Sequence, residues 1–247
     1  MAGHSKWANI KHRKGRQDAA RGKLFAKLAR AIEQAAGEGG SDPSMNIALA
    51  NAIAKAKASS MPNDNIDRAV KRGAGEGGDG VAYEETWYEG YGPGGVAFYI
   101  HVLTDNRNRA ASDVRATMTR NNGNLGEPGS VAYLFNQRGL IIARGEEDTV
   151  MLAALEAGAD DVRPSGDSFE VESAPGELTS VRTALEDAGV TIESAEVTQL
   201  PSTTIAVDAD GAARLFRLID ALEELDDVQE VFANFDVSDE IMEQLAG

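Results

Sequence analysis

The chain contains no cysteine, which excludes disulfide bonds, thiolate metal sites and a cysteine nucleophile. Histidine is scarce: His4, His12 and His101 are scattered and predict no metal cluster. No run of about 18 apolar residues occurs, so no membrane-spanning helix and no membrane partner are expected. The opening MAGHSKWANIKHRKG carries charge without an apolar stretch and is not a secretory signal. The expected compartment is the cytoplasm. Lysine is missing from most of the chain: all eight lysines lie at or before Lys71. Aromatic residues make up only 6%.

Among the residues that are present, charge is the most informative. The net charge of −16 conceals a strong asymmetry. Residues 1–30 hold nine Lys/Arg and one acid, a net of +8. Residues 31–73 hold five of each sign, and residues 74–247 hold ten Arg against 34 acids, a net of −24. A basic arm on an acidic body is the pattern of a protein that meets phosphate through one segment only, because the body repels it. Solubility alone would be served as well by even mixing of the two signs.

The first third reads as helical. Leu24, Phe25, Leu28, Ile32 and Ala35 recur at helical spacing over 16–36, with Lys23, Lys27 and Arg30 on another side. Ser41-Asp42-Pro43 predicts an N-cap with proline in the first helical turn, followed by a helix with Ile47, Ala50, Ile53 and Ala54 inward and Lys55 and Lys57 toward solvent. A short helix after Met61-Pro62-Asn63-Asp64 holds Ile66, Ala69 and Val70 and stops at Gly73. The stretch GAGEGGDG (73–80) reads as a linker.

Beyond it, strands and helices alternate. Strands are expected at Thr86–Tyr91, Val96–Thr104, Val131–Phe135, Leu140–Ala143, Phe169–Glu172, Ala195–Gln199, Thr203–Val207 and Val228–Val237. Helices are expected at 107–122, 148–157, 178–188 and 209–225. The pattern predicts an α+β fold: a helical N-terminal domain followed by two ferredoxin-like modules, one inserted in the other. The boundaries it suggests are 1–80, 81–130 with 203–247, and 131–202.

Chemistry-bearing motifs are few. Gly90–Gly95 matches G-x-G-x-x-G, but a strand rather than a helix follows, so a hairpin turn is expected and not a dinucleotide site. Phosphate-loop, zinc-protease and nucleophile-elbow motifs are missing. No catalytic residue, metal or cofactor is predicted, and the chain is read as a non-enzyme.

The positive signal is Lys6, Trp7, Lys11, His12, Arg13, Lys14 and Arg16, continued by Lys23, Lys27 and Arg30. Long cations meet phosphates, and an aromatic face stacks on a base. Trp7 fits such stacking and equally fits an anchor that packs on the helices. A second patch is Arg107 with Arg109 at the mouth of a helix, suited either to phosphate or to pairing with neighbouring acids.

The opening AGHSKWANIKHRKGRQDAARGKLFAKL, together with Pro62–Ala69, Tyr88–Pro93, Thr104–Arg109 and Gly129–Val131, resembles the YebC/PmpR family from end to end. The resemblance implies three domains, one helical and two α+β. It implies a DNA-binding transcriptional regulator, or a translation factor that contacts the ribosome and its ribosomal or transfer RNA, since relatives include a mitochondrial translational activator. A non-catalytic protein-interaction scaffold is the third reading. The residues do not choose between DNA and RNA, and they leave the oligomeric state open.

Overall fold

The computed structural model describes residues 18–76, 82–238 and 240–242. The chain folds into two compact units, one formed by 133–204 and the other by the segments on either side of it.

The larger unit begins with three helices: α1 (Asp18–Gly39), α2 (Ile47–Ala58) and α3 (Asn63–Gly73). Leu28, Ile32, Ala35 and Ala36 of α1 close on Leu49 and Ala56 of α2 and on Ile66 and Ala69 of α3. The close approach of α3 to α1 depends on Gly73, where an added Cβ would fall 2.2 Å from the carbonyl oxygen of Glu33. Two sequence expectations are corrected here. Leu24 is exposed. The second helix starts later than Pro43, because Asp42 accepts hydrogen bonds from the Ser44 amide (2.9 Å) and hydroxyl (2.7 Å) in a turn of its own. Asn46 is the cap, accepting from the Leu49 amide at 3.0 Å while its own amide donates to the carbonyls of Ala35 and Gly40. That cap shifts the inward stripe to Leu49, Ala52, Ile53 and Ala56, and leaves Ile47 79% exposed.

The same unit continues with β1 (Glu84–Tyr91), β2 (Ala97–Thr104), α4 (Arg107–Arg120) and β3 (Asn124–Leu125). It resumes after the other unit with β8 (Ile205–Ala206), α7 (Ala209–Glu223), β9 (Val228–Ala233) and β10 (Phe235–Asp236). The sheet order is β3-β1-β2-β9, antiparallel throughout, and β10 pairs with β8 in a separate parallel ribbon. The expected strand Val228–Val237 is therefore broken at Asn234, whose side chain accepts from the Ala97 amide at 2.7 Å. Phe98, Ile100 and Val102 alternate onto one face and meet Ala110, Val114 and Met118 of α4 and Leu215, Leu218, Ile219 and Leu222 of α7. The opposite face carries Trp87, Tyr99, His101 and Phe232, with Trp87 stacked on Tyr99 at 4.3 Å and on His101 at 4.5 Å. Lys55 of α2 forms an ion pair there with Glu230 of β9. The β1–β2 connection is a short 3₁₀ turn in which Gly94 and Gly95 have φ of 75° and 76°, a conformation that favours glycine.

In the smaller unit the order is β4 (Phe135–Arg144), α5 (Glu147–Glu156), β5 (Ala159–Ser165), β6 (Ser168–Ser173), α6 (Leu178–Asp187) and β7 (Thr191–Pro201). The strands align as β5-β6-β4-β7, all antiparallel, which is the ferredoxin-like arrangement. Val150, Ala154, Val181 and Leu185 of the two helices pack on Ile141, Ala143 and Val171 of the sheet. The fold class is thus α+β, as expected. The expected strand Val131–Phe135 is not formed: Ala132–Leu134 is a 3₁₀ turn and one strand runs Phe135–Arg144. The strand Ala159–Ser165 (ADDVRPS) escaped the pattern because it is polar and contains proline, as edge strands tolerate.

The Gly129–Val131 segment is held by one carboxylate. Glu89, only 9% exposed, accepts from the amides of Gly129 (2.7 Å), Val131 (2.7 Å) and Ala132 (2.8 Å). Burial alone would raise its pKa, but the three backbone N–H groups outweigh burial and hold the carboxyl below its ordinary range. A carboxyl depressed in the folded chain stabilises it fully above the unfolded pKa, and that contribution is lost as pH falls through the folded value. Glu89→Gln is expected to lower unfolding free energy by about 2 kcal/mol at neutral pH and to flatten the acid limb of the stability–pH profile. Urea denaturation between pH 7 and pH 3 checks both; an unchanged acid limb would count against this role.

Candidate nucleic-acid interface

Lys6, Trp7, Lys11, His12, Arg13, Lys14 and Arg16 lie outside the described residues. The rest of the predicted cations are placed. Lys23, Lys27 and Arg30 follow one another at i, i+4 and i+7, so α1 presents them on one side. That side meets the acidic turn Glu223-Glu224-Leu225-Asp226-Asp227 between α7 and β9. Lys23 forms an ion pair with Glu224 and donates to its carbonyl at 3.3 Å. Lys27 donates to the Glu223 carbonyl at 2.6 Å. Arg30 donates to the Asp226 carbonyl and, at 3.1 Å, to the Asp227 carboxylate. Its guanidinium also lies 5.9 Å from the ring centre of Tyr83.

Asp227 is the hub. Its second oxygen accepts from the Thr104 hydroxyl at 2.9 Å and from Arg109 at 2.7 Å. Arg109 reaches Asp105 at 2.7 Å as well. The hydrogen bond to Asp227, then that to Asp105, pushes the Arg109 pKa up, so it is a permanent cation. Hydrogen bonding from Arg109 in turn lowers Asp105.

The T-D-N-R-N-R segment (104–109) now has a local explanation. Asn106 caps α4 by accepting from the Arg109 amide at 3.1 Å, and its own amide donates to the Thr104 hydroxyl at 3.0 Å. Arg107 pairs with Glu84 at 2.8 Å. Arg107 and Arg109, the expected second patch, are therefore both engaged with carboxylates, which offsets their unfavourable place at a helix N-terminus.

Lys23, Arg30, Tyr83, Asp105, Arg109 and the acidic turn border a cavity of about 640 Å³ whose walls carry both signs. Among the described residues no group of three or more His, Cys, Asp or Glu is arranged to hold a metal, and no helix is long and apolar enough to cross a membrane. The acidic turn was not singled out from the sequence. Its signal was the run of four acids in five residues at the exit of α7, opposite in sign to the face of α1.

Two family models match in sequence order. The TACO1/YebC protein N-terminal domain covers residues 5–76 and the TACO1/YebC second and third domain covers 83–235. The chain belongs to the TACO1/YebC family. Similar proteins include those named probable transcriptional regulatory protein from Streptomyces avermitilis, 58% identical over 99% of both chains, and from Nocardia farcinica, 57% identical over 99% of both. The crystal structure of a conserved hypothetical protein from Aquifex aeolicus superimposes with a TM-score of 0.80 at 46% identity, covering 91% of this chain and 94% of that one.

In this TACO1/YebC chain, Asp227 gathers Arg30 of the helical part and Thr104 and Arg109 of the sheet part. Removing a buried partner strands the charges it neutralised. Asp227→Ala is expected to cost about 2–3 kcal/mol, less than a fully buried pair because Arg109 stays half exposed. Lys23→Ala removes only a solvent-exposed pair and should leave the melting temperature nearly unchanged. Equal effects in thermal denaturation would contradict the ranking.

Proposed function

We propose that the protein is a nucleic-acid-binding, non-catalytic regulator of gene expression whose primary contact is the basic segment before α1. The observation that carries this reading is the charge distribution: residues 1–17 hold five Lys/Arg and no acid, ahead of a body in which residues 74–247 hold 34 acids against ten Arg. The names of the similar proteins, probable transcriptional regulatory protein, support it. DNA is the first target on that ground. RNA, including ribosomal or transfer RNA, is the alternative that the same cations would serve, and both belong in the test. A soluble cytoplasmic protein is the setting this reading assumes.

The pairing of Lys23, Lys27 and Arg30 with the acidic turn divides the labour within the segment. Phosphates would have to displace Glu224, the Glu223 carbonyl and Asp227 to reach these three, whereas Lys6, Lys11, Arg13, Lys14 and Arg16 precede that face in the sequence. If about five phosphates are neutralised, log affinity should fall with log salt at a slope of about −4 to −5. Fluorescence anisotropy with a labelled duplex and a labelled RNA hairpin measures it. Lys11→Ala and Lys14→Ala should each flatten the slope by about one unit, and Lys23→Ala should flatten it less. A slope near zero, or undiminished binding after all five early cations are replaced, would reject the reading. Trp7→Ala separates its two roles: loss confined to single strands and RNA loops marks stacking, whereas equal loss on all ligands with early melting marks an anchor.

A further inference from the structure

Four of the ten arginines of residues 74–247 lie on α4, at 107, 109, 115 and 120, with a single acid, Asp113. This helix is therefore a cationic element in a strongly acidic body. Its two pairs of arginines have different surroundings. Arg107 and Arg109, at the first turn, are bonded to Glu84, Asp105 and Asp227. Arg115 and Arg120 are exposed, and none of the described carboxylates lies within ion-pair distance of either guanidinium. Arg120 Nε donates to the Ala116 carbonyl at 3.2 Å, one turn back on its own helix.

The helical repeat gathers these arginines with uncharged neighbours. Ala110, Val114, Thr117 and Met118 are buried and define the inner side of α4. At about 100° per residue, Asn108, Ser112, Arg115, Ala116 and Thr119 fall on the opposite side. A shallow hollow of about 560 Å³ runs along this side, lined by those residues with Ala111 and Arg120, and none of the described carboxylates lines it. Asp113 turns away and lines the cavity of mixed charge beside Arg109 instead.

We propose that this outer face of α4 is a second nucleic-acid contact that grips the phosphodiester backbone, resting on the nucleic-acid reading of the basic N-terminal segment. Charge complementarity selects the occupant: a strip lined by none of the described carboxylates, with two guanidiniums that none of the described carboxylates pairs, attracts a polyanion, whereas the acidic body around it repels one. Arginine forks suit phosphate oxygens. Asn108, Ser112 and Thr119 add neutral donors of the kind that bond to phosphate without reading sequence. Ala116 ends at a methyl group, so a backbone can approach the helix closely between the two arginines. Those arginines stand about 7.5 Å apart along the axis and about 140° apart around it, so they flank the face and engage different phosphates. The contact positions nucleic acid on the protein and carries no base specificity.

The test uses the full-length chain with a labelled 30-base-pair DNA duplex and a labelled RNA hairpin, read by fluorescence anisotropy at several salt concentrations. Arg115→Ala with Arg120→Ala should weaken binding about tenfold at moderate salt and reduce the salt slope by about two units. Arg115→Lys with Arg120→Lys should restore most of the loss. Arg214→Ala with Arg217→Ala, on α7, removes the same charge from another exposed helix face and should change binding less than twofold. Thermal melting should be alike for all three variants. The inference is overturned if the α4 pair and the α7 pair behave alike, or if the lysine pair binds as weakly as the alanine pair. Lys11→Ala with Lys14→Ala separates the two readings. Loss there with none at α4 sinks only the second contact; loss at α4 with none there sinks the N-terminal reading; a wild type that binds neither probe sinks both. A larger effect on one probe than on the other identifies the nucleic acid that reaches α4.

Discussion

The larger unit is organised around one buried carboxylate. Asp227 is 8% exposed, and its two oxygens are shared among Arg30, Thr104 and Arg109. A buried anion is tolerated only when its lone pairs are filled by donors of the right charge. Filling them draws together the end of β2, the first turn of α4, the entry to β9 and the middle of α1. The backbone of the same residue takes part, since the Leu103 amide donates to the Asp227 carbonyl at 2.8 Å. Beside this hub Lys23 forms a more exposed and correspondingly weaker ion pair with Glu224, and Lys27 donates to the Glu223 carbonyl. The ion pair between Lys55 and Glu230 is a second tie between the helices and the sheet.

This arrangement changes the meaning of the charge asymmetry. Read linearly, the first thirty residues are a uniform basic arm. In the folded chain Lys23, Lys27 and Arg30 of α1 already face an acidic turn of the protein itself. Such a turn offers carboxylates and carbonyls where a nucleic acid would offer phosphate oxygens. The cations before α1 precede that face in the sequence, and the outer arginines of α4 line a hollow that the turn does not border. Net charge alone would not have separated these groups, since every one of them is Lys or Arg.

The α+β class and most element positions were legible because their signals are local. Alternation in Ala97–Thr104, the Asn106 cap and the 3.6-residue period of Ala209–Glu223 each declare themselves within a few residues. Failures came where a partner distant in sequence decides the outcome. Ser41-Asp42-Pro43 resembles a helix start, but Asn46 is bonded to carbonyls of the preceding segment and sets the frame of α2. The polar strand Ala159–Ser165 exists because β6 pairs with it, not because its own pattern demands it. At the candidate interface, Arg107 and Arg109 stood out as a motif, yet what distinguishes them from Arg115 and Arg120 is the position of Glu84 and Asp227. Neither neighbour is visible from the helix sequence alone.

If phosphate is met by the cations preceding α1 while the basic face of α1 stays occupied by the acidic turn, the lysines of the two groups differ in reactivity. Lysine acetylation followed by mass spectrometry, with and without saturating nucleic acid, tests this residue by residue. Lys6, Lys11 and Lys14 should become protected when nucleic acid is added. Lys23 and Lys27 should react slowly from the outset, held by Glu224 and Glu223, and Lys57 and Lys71 should be unaffected. Fast modification of Lys23 and Lys27 in the free protein, followed by their protection while Lys6, Lys11 and Lys14 remain unchanged, would contradict that division of roles.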